Sequence, residues 1–219
     1  MTIPLIDKQD NFEIVGLQIA AILAQETADQ QVLAIAASKD PELWKFDVFS
    51  EKFNPFGQFQ NDKTPVPVVN VWYDTSNFNP ANGNVSTNQK DDAIYNIDVY
   101  AAVSATDNQS GGHNPTDEST VLQLHRVIRL VRNIIMHPDN VYLKLQGTVW
   151  QRWINSKEKF QPQIGDRPIE GIIADRISLS VSFNELPVNE SFPTIEVIGI
   201  TVRRDIDAKI ILEADFDTT

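Results

Sequence analysis

Between Phe12 and Ser38 the apolar positions recur at helical spacing. Phe12, Val15, Ile19, Ile22 and Leu23 fall on one stripe, Asp10 or Asn11 is placed to cap the start, and no proline interrupts the run. Val32, Leu33 and Ala36 continue an apolar face, and the polar stretch Gln25–Gln31 predicts a break between two helices. Asp40-Pro41 ends this helical segment (11–39), because the residue before a proline is driven out of the helical region. The pattern then shortens. Leu43–Phe49 is aromatic and β-prone, Phe53–Pro65 reads as a loop, and Val66–Tyr73 as a strand. Pro67 predicts an edge position for the start of that strand, since proline gives no donor to a ladder. Asp74–Asp92 is a long polar connection, either a functional loop or an extended hairpin arm.

Ala93–Val103 alternates. Ala93, Tyr95, Ile97, Val99, Ala101 and Val103 share one face, and Ile94, Asn96, Asp98, Tyr100 and Ala102 the other, which predicts a half-buried strand. After a loop containing Gly111, Gly112 and Pro115, a helix is predicted over roughly Asp117–Met136, with Val121, Leu124, Ile128, Val131 and Ile135 on its core stripe and His137-Pro138 as its stop. Val141–Leu145 and Thr148–Ile154 read as two short strands around Gly147. Pro162–Gly171 reads as a loop, and Arg176–Phe183 alternates again, with Ile177, Leu179, Val181 and Phe183 inward. Leu186–Pro193 reads as a connector. Ile195–Arg203 and Lys209–Phe216 predict a C-terminal β-hairpin (195–216). The expected fold is one α+β domain over residues 1–219: a mixed, largely antiparallel β-sheet flanked by helices.

Composition narrows the chemistry. The chain has 219 residues, 42% hydrophobic and 22% charged, which suits a globular protein with a real core. Its net charge of −12 argues against ordinary binding to nucleic acid or to an anionic membrane, both of which call for lysine and arginine. There is no cysteine, so disulfides, zinc–thiolate sites and thiol nucleophiles are excluded, and an intracellular life is expected. MTIPLIDKQDN has no basic n-region followed by an apolar run, so no signal peptide is expected there. Apolar runs such as Ile19–Ala24 are far shorter than the ~20 residues of a membrane span.

No catalytic set stands out. His113, His125 and His137 are too dispersed for a helix-borne metal box and read as surface or cap histidines. The nine glycines form no phosphate-cradling loop and no nucleophile elbow. Asp205, Asp207, Asp215 and Asp217 could pair on Ca²⁺ or share a proton, but Asp is common in hairpin turns, and a solvated turn is the expectation. Trp150 and Trp153, with Phe160 nearby, read as a strand-edge aromatic cluster, for which core packing is expected over ligand binding. No catalytic residue, metal site or cofactor is expected. Arg126, Arg129 and Arg132, beside His125, form a basic ridge on an acidic chain. They are either the solvated face of a helix or intersubunit contacts to acidic loops of a neighbouring copy. Asn82 and Asn84, in the Asp74–Asp92 arm, are the other candidate intersubunit contacts.

The order of VPVVNVWYD, a long polar arm, QKDDAIYNIDVYAAVSA, SGGHNP, LHRVIRLVRNII, YLKLQGTVWQRWINS, FQPQI and RISLSVSFNE resembles the tail-terminator and neck proteins of contractile-tailed bacteriophages. The resemblance covers roughly residues 12–216. It implies a mixed sheet flanked by helices and a hexameric ring at the head-proximal end of the tail tube. Such a ring stops tube growth, docks to the head connector and passes genomic DNA through its lumen without binding it specifically. The implied partners are further copies of the chain, the tail tube, the sheath and the connector or stopper, with no membrane. The implied location is the virion, after assembly in the host cytoplasm. Compact terminators are shorter, so the N-terminal helical region and the C-terminal hairpin are candidate additions that meet sheath or connector. The alternatives are a head-completion or connector-stopper protein of the same neck, an intracellular hydrolase with a dispersed active site, and a monomeric module whose loops grip a ligand.

Overall fold

A computed structural model describes residues 9–55, 59, 66–79, 89–102, 115–164, 167–168, 172–185, 198–204 and 210–216. They form two units, one within Asp7–Leu186 and one that includes Pro187–Thr219. In the larger unit, helix α1 (Asn11–Ala36) leads through a 3-10 turn (Pro41–Trp44) to strands β1 (Asp47–Ser50), β2 (Val68–Asn79) and β3 (Gln89–Ala102). Helix α2 (Pro115–Met136), a 3-10 turn (Pro138–Asn140) and strand β4 (Val149–Phe160) follow. The two-residue strands β5 (Gln163–Ile164) and β6 (Arg167–Pro168) pair with each other, and β7 (Ile172–Glu185) closes the unit. In the second unit, β8 (Ile198–Arg204) runs antiparallel to β9 (Ile210–Phe216).

The main sheet has the order β1-β2-β3-β7-β4, parallel only between β1 and β2, so the fold is α+β with a mixed five-stranded sheet and two helices. β3 lies at its centre, paired from end to end with β7. Both helices lie on one face. Val15, Ile19, Ile22 and Leu23 of α1 and Leu124, Val127, Ile128, Val131 and Ile135 of α2 meet Val69, Val71, Ala93, Tyr95, Ile97, Val99, Ala101, Ile177, Leu179, Val181 and Phe183 of the sheet. The inward sets expected for Ala93–Ala101 and Ile177–Phe183 are buried as the alternation predicts. Among the described residues no helix is long and apolar enough to cross a membrane.

Several local expectations are corrected. α1 does not break at Gln25–Gln31. Its polar middle is docked, with Thr27 buried and its hydroxyl donating to the Trp44 carbonyl at 2.8 Å. Past that point the buried residue is Ala34, while Val32, Leu33 and Ile35 are 65%, 59% and 63% exposed. The start of Leu43–Phe49 is a 3-10 turn instead of strand, because Pro41 fits a first turn and the Asp40 side chain accepts from the Glu42 N–H at 3.0 Å. β2 is not an edge strand: β1 covers it, and Pro67 lies just before its first residue, where only its carbonyl is needed, accepting from the Asp47 N–H at 2.9 Å. Both ends of the 74–92 connection are ladder, since β2 runs on to Asn79 and β3 starts at Gln89, with a bulge between Tyr73 and Thr75.

β3 is buried on both faces from Asn96 to Ala102 instead of on one. A second, smaller cluster of Val68, Tyr100, Ala102, Ile172 and Ala174, with Phe49, Phe59 and Phe160 against it, covers the far side. Val141–Leu145 is turn instead of strand, with Leu143 and Lys144 at φ 49° and 57°, and β4 runs on to Phe160 instead of ending at Ile154.

Candidate interaction surface

The predicted basic ridge becomes one wall of a cleft. Arg126, Arg129, Leu130 and Asn133 recur along one stripe of α2, and Lys39, Asp40, Leu43 and Trp44 face them from the end of α1 and the 3-10 turn. The cleft encloses about 560 Å³. Arg132 does not line it, because a step of six residues turns it away from Arg126. Three cations line this cleft against one carboxylate, and Asp40 already holds the Glu42 N–H. Among the described residues, Lys39, Arg126 and Arg129 have no ion-pair partner. The Trp44 indole nitrogen is buried and has no hydrogen-bond acceptor among the described residues. The sequence signal for this site was the arginine spacing. The facing wall left no signal, because tertiary packing alone brings it there.

The sheet face away from the helices holds a polar core. Arg176 donates through Nε and Nη2 to the two Asp98 oxygens, at 2.7 and 3.0 Å. Trp72 Nε1 and the Tyr100 hydroxyl also donate to Asp98, at 2.9 and 3.2 Å. The guanidinium lies 4.9 Å from the ring centres of both Trp72 and Phe160. Asp98 hydrogen bonding holds the Arg176 charge in place and raises its pKa against the effect of burial. Burial pushes the Tyr100 phenol up, and the adjacent Asp98 charge adds to this. Every Asp98 acceptor is engaged, so this constellation is a structural clasp between β2, β3 and β7. Beside it Ser178 donates to Asn96 at 2.7 Å, and Ser182 donates to Asp92.

At one end of β3 one carboxylate is buried and a second, on β7, is half-buried. Asp91 is 1% exposed, with Ser76 donating to one oxygen at 2.6 Å and the other oxygen unpartnered among the described residues. Burial raises its pKa, partly offset by the Ser76 bond. The Glu185 carboxylate accepts the Asn11 and Phe12 N–H groups at 3.2 and 3.0 Å and so satisfies the first turn of α1. Burial raises its pKa as well, against those two bonds. The Tyr95 hydroxyl donates to the Phe12 carbonyl at 2.8 Å, and burial pushes that phenol up. A smaller groove of about 300 Å³ lies nearby, and its two acids are engaged: Glu13 holds the Asp10 N–H and Glu51 the Tyr73 N–H.

The remaining predicted positions disperse. Trp150 and Trp153 are 53% and 38% exposed on β4, so they do not pack into the core; β4 is the outermost strand, bulged beside Trp150, and only Phe160 turns inward, onto Tyr100. His125 is exposed, and His137 accepts the Asp139 N–H at 3.3 Å at the start of a 3-10 turn. Asn82, Asn84, His113, Asp205, Asp207 and Asp217 lie outside the described residues. Among the described residues no group of three or more His, Asp or Glu side chains could hold a metal ion. No protein-family model matches the chain, and no curated protein matches it.

Proposed function

We propose that this chain is a structural protein of a phage neck: a tail terminator that caps the tail tube as a ring, stops tube polymerisation and docks the tail to the head connector. The reading rests on the order of sequence segments that resembles the terminator family, and the cationic cleft on the acidic body is the observation that supports it best. Complementary charge gives a self-assembling surface its specificity and register. α2 is anchored in the central core, and the facing turn is tied to α1 by the Thr27–Trp44 hydrogen bond. Several features are parts of this proposal: the β2–β3 arm as a reach toward a neighbour, the C-terminal hairpin as an added docking element, and the negative surface as a lumen that DNA passes without sticking. Each ring contact should bury more than about 1,000 Å² to hold the assembly.

Negative-stain electron microscopy of the purified protein, alone and mixed with tail tubes of its own phage, tests this. Six-fold rings, or density capping one tube end only, are expected. Protein that leaves both tube ends bare would remove the terminator reading and favour the connector-stopper.

A further inference from the structure

The cleft between α2 and the Pro41–Trp44 turn is built to receive carboxylates. Lys39, Arg126 and Arg129 converge on it with no ion-pair partner among the described residues, in a protein of net charge −12. The lining is also apolar in part. Leu130 and Trp44 contribute to it, and Leu43 is 46% exposed at its rim. An occupant that fits both features is a peptide in which acidic and apolar residues alternate, rather than a bare inorganic ion.

The chain itself carries such a segment. Residues 205–217 read DIDAKIILEADFD, five carboxylates against one lysine, with Leu212 and Phe216 interleaved among Glu213, Asp215 and Asp217. We infer that the Lys39–Arg126–Arg129 cleft of one copy binds the acidic 205–217 segment of a second copy. This rests on the self-assembly reading and gives it a specific contact. Charge complementarity chooses the occupant: the Asp74–Asp92 arm has acids only at its ends, Asp74, Asp91 and Asp92, and the last two lie within the β3 ladder, so it offers little of the chemistry the cleft selects. Arg132, on the same helix but outside the cleft, takes no part.

A charge-swap experiment on the full-length chain tests the contact, with self-association followed by analytical ultracentrifugation and tube capping by microscopy. Arg126→Glu/Arg129→Glu should weaken self-association at least about tenfold, as should Glu213→Lys/Asp215→Lys. The chain carrying all four changes should recover most of the loss, and Arg132→Glu should behave as the unchanged protein. Raising salt should weaken the native contact, since exposed charges are screened beyond about 10 Å at 0.1 M. Circular dichroism of each variant separates a lost contact from a lost fold. Two results would overturn the inference: folded cleft variants that associate as before, or losses that the four-fold chain does not recover. If the swap behaves as expected while tubes stay uncapped, the contact stands and the terminator reading falls. If tubes are capped while the variants associate as before, the reverse holds.

Discussion

The Arg152 guanidinium reaches three backbone carbonyls at the end of α2. It donates to Ile135 at 2.6 Å, His137 at 2.8 Å and Val141 at 3.0 Å. A helix C-terminus leaves carbonyls without intrahelical partners and carries partial negative charge, so a cation there satisfies both needs. Burial lowers the pKa of this arginine, yet the group stays charged at any ordinary pH. Arg152→Ala should cost about 1–3 kcal/mol in urea unfolding, with little change in the denaturant slope. Arg152→Lys should restore only part of it, because one ammonium does not span three carbonyls. Asp91 works in the opposite sense. Its folded pKa lies above its unfolded one, so the folded state holds the proton more tightly, and the stability this gives is present at acid pH and lost as pH rises through the raised value. Asp91→Asn should therefore raise the melting temperature at pH 7, and the gain should shrink as the pH falls through the raised folded value and be gone below about 4, the ordinary carboxylate range. A gain that is constant across that range would mean that Asp91 is not ionised against its environment in the native protein.

At the scale of elements, the sequence was legible wherever one periodicity met one buried face. Ala93–Ala101 and Ile177–Phe183 alternate because the two helices bury one side of β3 and β7, and that side tolerates no polar residue except near the strand ends. Ile97→Asp should abolish the cooperative unfolding transition, since Ile97 is fully buried at the centre of the sheet. A native-like transition in that variant would place the core on the other face. The misreadings share a cause. Gln25–Gln31 looks like a break because its polarity is local, but Thr27 is paired with the carbonyl of Trp44, 17 residues away in sequence. Asn96 and Asp98 look like a solvated face because polar side chains usually are one, but Ser178 and Arg176 from β7 supply their partners. Trp150 and Trp153 read as edge aromatics that pack inward, and β4 is an edge strand, but it leaves both partly in solvent. Of the cleft, Arg126 and Arg129 follow from helical spacing, whereas Lys39, Asp40, Leu43 and Trp44 arrive from 82 or more residues earlier in the chain.

At the scale of the whole molecule, two properties meet: an acidic chain and a cationic cleft between α2 and the Pro41–Trp44 turn. Like-charged copies repel at long range and associate only where opposite charges are brought into register, which favours a few defined contacts over unspecific clustering. In the proposed function, ring closure at a tube end would use such selectivity, and this has a measurable consequence. The most direct test is seeded growth of tail tubes from purified tube protein, with the length distribution measured by electron microscopy as this protein is added in increasing amounts. Tubes should stop growing at one end, mean length should fall with dose, and Arg126→Glu/Arg129→Glu should need a higher dose for the same effect. Tubes that reach the same lengths at every dose would contradict the proposed function.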